Sequence, residues 1–138
     1  MSAEDESVEV LDEQEALHLV ASAGMGRLAF AVAGIPDIVP INHCVDGGKV
    51  YFRTAEGSKL LGVTINQQVA FEVDEIEGDV ARSVIVRGPA RELHTRAELE
   101  YAESLPLRPW VPSFKYHFVV IEPEEITGRL FHLGAEPE

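Results

Sequence analysis

Residues Arg27–Thr54 read RLAFAVAGIPDIVPINHCVDGGKVYFRT, and this stretch decides the fold class. It holds three apolar runs rich in β-branched and aromatic residues, separated only by turn residues. Arg27–Val32 runs into the turn signal Ala33-Gly34-Ile35-Pro36. Asp37–Val45 resumes as strand, with Pro40 marking an edge or an irregular point because proline has no N–H for a ladder. Asp46-Gly47-Gly48 is a hairpin turn, since glycine tolerates the φ > 0 that tight hairpins need. Lys49–Thr54 is then the third strand of a meander. Strands that follow one another without intervening helices argue for an antiparallel sheet or barrel. A parallel nucleotide-binding fold needs βα alternation and a GxGxxG loop, and neither is present.

Upstream, Asp12–Ala23 reads as a helix. Asp12 is its N-cap, Glu15 completes a capping box, and Gly24 is placed to close it with a positive φ. Ser2–Val10 carries Glu4, Asp5, Glu6 and Glu9, and reads as an acidic, mobile tail over residues 1–10. Downstream, Glu56-Gly57-Ser58 opens a helix from Lys59 to about Asn66. Val69–Val73 is a strand, Asp74–Val80 an acidic loop, and Arg82–Leu93 a long strand with a bulge at Gly88-Pro89. Thr95 and Glu98 cap a helix to Ser104. A proline-rigid loop, Leu105–Ser113, leads to a closing strand at Lys115–Ile121, which Glu124–Phe131 extends. The expectation is a mainly β, antiparallel domain over residues 11–138, with about six strands and three short helices.

The chain has 138 residues, 11 Lys and Arg against 24 Asp and Glu, and a formal net charge of -13. That surface repels nucleic acid and anionic membranes, whose binding depends on clustered cations. No apolar run approaches the roughly 20 residues of a membrane helix. The acidic start is the opposite of a signal peptide, and the single Cys44 has no internal disulfide partner, so a cytoplasmic setting is expected. No His spacing suits a metal, and no GxSxG suits a hydrolytic serine. Cys44 reads as a small buried hydrophobe.

Against that acidic background, Phe52–Leu60 (FRTAEGSKL) stands out. A strand ends in Arg53 and Thr54, a glycine turn follows, and a helix begins at Ser58 and Lys59. Helix N-termini leave N–H groups unpaired and attract anions. Arginine adds bidentate contacts and lysine a point charge. The bland alternative is an ordinary cap at Ser58 with Arg53 paired to a carboxylate. The Walker spacing is missing, so triphosphate hydrolysis has no support.

The order of GRLAF (Gly26–Phe30), PDIVPINH (Pro36–His43), VYFRTAEGSKL (Val50–Leu60), VAFEVD (Val69–Asp74), SVIVRGPA (Ser83–Ala90) and LRPW (Leu107–Trp110) resembles the pyridoxamine 5'-phosphate-oxidase-like flavin-binding proteins. The likeness is greatest to the branch of small nitroimidazole and flavin/deazaflavin reductases. The resemblance implies a split β-barrel that dimerises, with two flavin mononucleotide (FMN) sites at the interface. It places the phosphate near Arg53, Thr54, Ser58 and Lys59, with Leu60 following them in the cofactor-binding set. It runs Pro40, Ile41 and Asn42 beside the isoalloxazine, adds charge from Arg87, and stacks Trp110 of the second subunit over the ring. His43, next along the chain, is a candidate to face the ring. Phe131–Glu138 carries no basic substrate segment, which argues against pyridoxamine-phosphate oxidation itself.

What the resemblance implies for activity is an oxidoreductase that passes hydride from a reduced nicotinamide or deazaflavin donor to a small organic acceptor, the flavin carrying the redox chemistry. Two alternatives stay open. One is an FMN-binding or storage module without turnover. The other is a split barrel that holds a deazaflavin coenzyme, or haem with His43 or His117 as axial ligand. A polyglutamyl deazaflavin wants a basic groove that this composition can hardly build.

Overall fold

The computed structural model of the chain describes residues 7–55, 67–107 and 116–134. In chain order the elements are β1 (Val8–Leu11), α1 (Glu13–Ser22), β2 (Gly26–Val32), β3 (Ile35–Ile41), β4 (His43–Asp46), β5 (Lys49–Ala55), β6 (Gln67–Glu77), β7 (Val80–Glu92), α2 (Arg96–Glu103), β8 (Tyr116–Ile121) and β9 (Glu125–His132). The meander forms as the turn residues require. Ala33 (φ 51) and Gly34 (φ 79) close β2 on β3, and Gly47 (φ 58) and Gly48 (φ 76) close β4 on β5. The helix expected over Lys59–Asn66 and the proline loop from residue 108 lie outside the described residues.

The described strands number nine rather than about six, and three local causes account for the difference. Asp37–Val45 is two strands, because the chain leaves the ladder at Asn42. Below that point β3 stays with β2; above it β4 turns to β5. The closing strand and its extension are likewise divided at Glu122–Glu124. Finally, Val8–Leu11 is no tail but a strand paired with β9. Leu11 is buried in the core, and Glu9 meets His132 at 2.8 Å on the exposed side.

The sheet runs β3-β2-β6-β7-β8-β5-β4, with β9 joining β7 to β1. All pairings are antiparallel. The first and last strands of that path are chain neighbours through Asn42, so the sheet curls until its two ends are covalently joined. This is the curled antiparallel half-barrel that the sequence led one to expect.

β7 is the spine. It pairs with β6 in one unbroken register from Gln67↔Ala90 to Glu77↔Val80. Asp74–Val80 is therefore not a loop. Its carboxylates sit in a strand because cations reach them: Arg27 to Asp74 at 2.8 Å, Arg82 to Glu75 at 3.0 Å. Nor does β7 bulge at Gly88-Pro89. The change falls on its other edge, where Val80–Arg87 pairs with β9 and Ala90–Glu92 with β8. Glu122, Pro123 and Glu124 cross there opposite Gly88 and Pro89. The crossing is held by Glu122 N donating to Pro89 O (3.2 Å) and Glu124 N to Arg87 O (2.8 Å). A Cβ on Gly88 would lie 2.1 Å from the Glu122 carbonyl oxygen, so only glycine fits.

Strand alternation sorts side chains into two cores. Val50, Phe52, Phe71, Val84, Val86, Val119 and Ile121 face inward, and α1 with Leu11 packs on them through Ala16, Leu19 and Val20. Each such fully buried side chain contributes about 1.5–3 kcal/mol. On the other face of β5 and β8, Tyr51, Phe118 and Val120 pack with Leu93, Ala102 of α2 and Leu107. The caps stand as the sequence implies: Asp12 accepts from Glu15 N at 2.8 Å and Thr95 from Glu98 N at 3.1 Å. Gly24 does not take a positive φ; α1 ends on an extended Ala23.

Candidate functional site

The break at Asn42 creates the site. The β4–β5 ladder stops at His43↔Phe52, while β5 continues to Ala55 along β8. On the side that β4 has left, no described strand pairs with Arg53, Thr54 and Ala55. β3 is the terminal strand of that path, so no described strand pairs with its outer edge either. The two open edges diverge from Asn42, and backbone N–H and C=O groups in such edges seek partners. Continuing the β4–β5 register by one residue sets Asn42 opposite Arg53. The structure thus brings Pro40–Asn42 and Arg53–Thr54 to the two strand edges that flank Asn42.

Each of these residues has a distinct setting. Pro40 is exposed and lies opposite Arg27 on β2, where the missing N–H costs nothing to the edge. Ile41 is buried in the core, and Asn42 is half-buried. Arg53 and Thr54 are adjacent in sequence but face opposite sides of β5. Thr54 is buried on the inner side. Arg53 lies on the α2 side, donating from Nη1 to Leu107 O at 3.0 Å with its guanidinium 5.4 Å from the Phe118 ring centre. Ser58, Lys59, Leu60 and Trp110 lie outside the described residues.

Arg87 is placed elsewhere. It sits on the outer face of β7, 3.2 Å from Glu125 and 3.4 Å from Thr127. Arg53 is level with Leu93, since Arg53 pairs with Phe118 and Leu93 N donates to Phe118 O. Six residues of strand separate Leu93 from Arg87, roughly 20 Å. Within one chain Arg87 and Arg53 do not share a phosphate.

The histidines also divide. His43 does not face the cleft. It points inward, 6% exposed, with Nε2 donating to Val20 O at 2.7 Å and its ring edge-on to Phe71 at 4.7 Å. Burial holds its pKa below the usual histidine value, so it is neutral near pH 7. His117, opposite Thr54, has Nδ1 2.6 Å from Glu92 Oε2. That pair at the mouth of the inner core was not singled out from sequence, because Glu92 and His117 meet only through the β7–β8 register. Burial first and Asp46 second push the Cys44 thiol up to about 11, so it stays protonated and is no nucleophile. Among the described residues no cluster of His, Cys, Asp or Glu is arranged to hold a metal. No described helix is long and apolar enough to cross a membrane.

With this geometry in hand, the chain can be set beside known proteins. The profile of the pyridoxamine 5'-phosphate oxidase family matches residues 12–130. The chain belongs to that family. An uncharacterised protein of Mycobacterium tuberculosis is 45% identical over 94 residues, covering 68% of this chain and 86% of its own length. The FAD-binding protein of Mycobacterium smegmatis superposes with a TM-score of 0.85 at 40% identity, over 91% of this chain and all of that one. An FAD-binding protein of Mesorhizobium loti follows at TM-score 0.75 and 25% identity, over 89% of this chain and 97% of its own. Among family members, then, the same curled sheet accompanies flavin binding in two of the solved structures.

Proposed function

We propose that this family member binds flavin in the cleft between β3 and β5, as FMN, and acts as a homodimeric, cytoplasmic oxidoreductase. The observation that carries the reading is the divergence of two open strand edges at Asn42 with Arg53 ordered beside them. An isoalloxazine has a polar edge of alternating donors and acceptors, which suits the open backbone of β3 at Pro40–Asn42. Its phosphate suits Arg53 and the Thr54 backbone, together with Ser58 and Lys59 and the neighbouring Leu60. The 40% identity with an FAD-binding relative over its full length supports the flavin class.

When bound, the flavin supplies the hydride chemistry, accepting from a reduced nicotinamide or deazaflavin donor and reducing a small organic acceptor. The protein's share is orientation and charge. Arg53 holds the phosphate end, the β3 edge fixes the ring, and Trp110 of the second subunit covers it. Dimerisation is supported by the apolar outer face of the β2–β3 hairpin, where Ile38 is 59% exposed beside Ala29. In the dimer, Arg87 of one subunit contributes charge near the other's cofactor.

The deciding experiment is a titration of the purified chain with FMN and with FAD, followed by absorbance and fluorescence, with Arg53→Ala alongside. Arg53→Ala is expected to weaken flavin binding roughly 10- to 100-fold, the loss of a charge-assisted contact, while the far-UV spectrum is unchanged. Equal affinity in parent and variant removes the cleft assignment. FAD binding far more tightly than FMN replaces the FMN assignment with its dinucleotide. A monomer by light scattering ends the shared-site arrangement.

A further inference from the structure

His43 is one of two buried polar residues among the described ones, the other being Thr54. Its two ring nitrogens are treated differently. Nε2 donates to Val20 O at 2.7 Å, while Nδ1 is buried with no hydrogen-bond partner among the described residues. A carbonyl only accepts, so the ring carries its proton on Nε2 and a bare lone pair on Nδ1. A second proton, taken up at Nδ1, puts a charge and an unanswered N–H into a pocket walled by Phe71 and the ladder partner Phe52. Two effects compete. Val20 O is among the last four carbonyls of α1, and the negative end of a helix favours a charged ring. Burial outweighs it, and the pKa of His43 lies below the ordinary 6.5. The elements packed against the ring bring no charge to offset that cost. In α1, Glu13, Glu15 and His18 are exposed. In β5, Lys49 engages Glu122 and Arg53 the Leu107 carbonyl. In β6, Glu77 is exposed, Glu72 and Asp74 pair with Arg27, and Glu75 with Arg82. Cys44 and Asp46 of β4 itself alternate to the other face. Glu92, in the same row of the sheet beyond Phe52 and Val119, engages His117 at 2.6 Å.

We propose that His43 is a proton-operated latch on the flavin cleft, closed while its ring is neutral and released when Nδ1 takes up a proton from solvent. The proposal rests on the flavin reading and adds regulation to it. His43 is the first residue of β4, directly after the Asn42 crossing from which the two open edges diverge. With its ring in the core, it ties that crossing to the end of α1. A protonated ring reaches water only by leaving the core. That frees Val20 O and lets Asn42 and the β3 edge shift relative to β5, so the flavin loses the fixed spacing of its two supports. The sign follows from linkage. The closed state takes up the His43 proton less readily than the open one, so closure is favoured above pH 6.5 and loses ground as pH falls below it. By reciprocity, flavin bound to the closed state makes His43 harder to protonate.

The test is a fluorescence titration of the full chain at pH values from about 7.5 to about 5.5, a window spanning the ordinary histidine value. The ligand is FMN or FAD, whichever the parent binds tighter at the upper pH. Parent and H43Q are compared, with far-UV circular dichroism at each pH. Glutamine keeps a donor for Val20 O and takes up no proton, and any titration of the flavin itself is common to both proteins. The parent is expected to lose at least ~3-fold more affinity than H43Q across the window, against a ceiling of ~10-fold per pH unit for one proton. Equal losses in the two proteins overturn the latch and leave the flavin reading standing. A parent that binds neither flavin at the upper pH overturns the flavin reading, and the latch with it. If the parent's far-UV signal collapses over the same window, release is global unfolding and the latch is overturned. If H43Q does not fold, the imidazole resonances of the parent decide. The His43 midpoint is expected below 6.5, and lower by at least ~0.5 when the chain is saturated with flavin. A midpoint that flavin leaves unchanged overturns the proposal.

Discussion

The barrel contains two strand breaks, and they behave in opposite ways. At Glu122–Glu124 the chain crosses from β8 to β9 and is sealed onto the spine. Both flanking N–H groups donate to β7 carbonyls, and Glu122 is gripped by Arg91 at 3.2 Å and Lys49 at 3.4 Å. At Asn42 the chain crosses from β3 to β4 and is anchored from behind by His43 to Val20 O. In front it leaves two open edges. The first break closes a surface and the second opens one. A split in a sheet becomes a site only where the exposed backbone is left for something other than the protein to satisfy.

The largest expected effect comes from filling the sealed break. Gly88→Ala puts a methyl 2.1 Å from the Glu122 carbonyl oxygen, which is backbone and cannot step aside without breaking both crossing bonds. A loss of about 3 kcal/mol or more is expected, of the size that overpacking plus lost hydrogen bonds brings. Urea unfolding measures it. Gly47→Ala is the control, since nothing lies within 4 Å of a Cβ there and only its φ of 58 is strained. Equal losses at the two glycines would mean that the crossing is not tight and that the two breaks are alike.

The next effect tests the anchor behind the open break. His43→Phe keeps a ring against Phe71 but removes the donor to Val20 O, and about 1–3 kcal/mol of stability should be lost at pH 7.5. The pH dependence has a definite sign. In the folded chain the His43 pKa is lowered by burial, so the unfolded chain takes up its proton first as pH falls through about 6.5. Below that point the parent loses about 1.4 kcal/mol per pH unit from this group until the folded pKa is reached. The phenylalanine variant lacks the group, so the gap between the two should narrow from pH 6.5 downward. A gap that stays constant to pH 5 would show that His43 is charged or solvated in the folded state.

These breaks also mark where the sequence was readable. Features with local chemistry came through: the caps at Asp12 and Thr95, the Gly47-Gly48 turn, and the alternation of Lys49–Thr54. Asn42 did not, because an asparagine between Ile41 and His43 carries no breaker signature, and the kink comes from β3 and β4 having different partners. Charge concealed one strand and the end of another. Glu9 made β1 look like tail, and Asp74–Glu77 looked like loop until Arg27 and Arg82 arrived from other strands. In the candidate site, Arg53 and Thr54 were found together, yet the two-residue period of a strand sends them to opposite faces.

The smallest effect concerns the ionic seal on the closed break. Arg91 bonds both Glu98 of α2 and Glu122, and those two carboxyls are held below the usual range chiefly by their hydrogen bonds to Arg91. That looks like a strong clamp, but the Arg91 side chain is 42% exposed and water screens the network. Arg91→Met keeps the aliphatic stem and removes the charge, and less than about 1 kcal/mol should be lost. Because a carboxyl with a lowered folded pKa stabilises above its unfolded value, the parent's advantage should be present at pH 7, start to fall below the ordinary carboxylate value of about 4.3, and be gone once pH has dropped past the lowered folded values. Raising salt at pH 7 should shrink it too. If Arg91→Met costs as much as Gly88→Ala, the crossing is held by charge rather than by close backbone packing, and the contrast between the two breaks rests on electrostatics instead of fit.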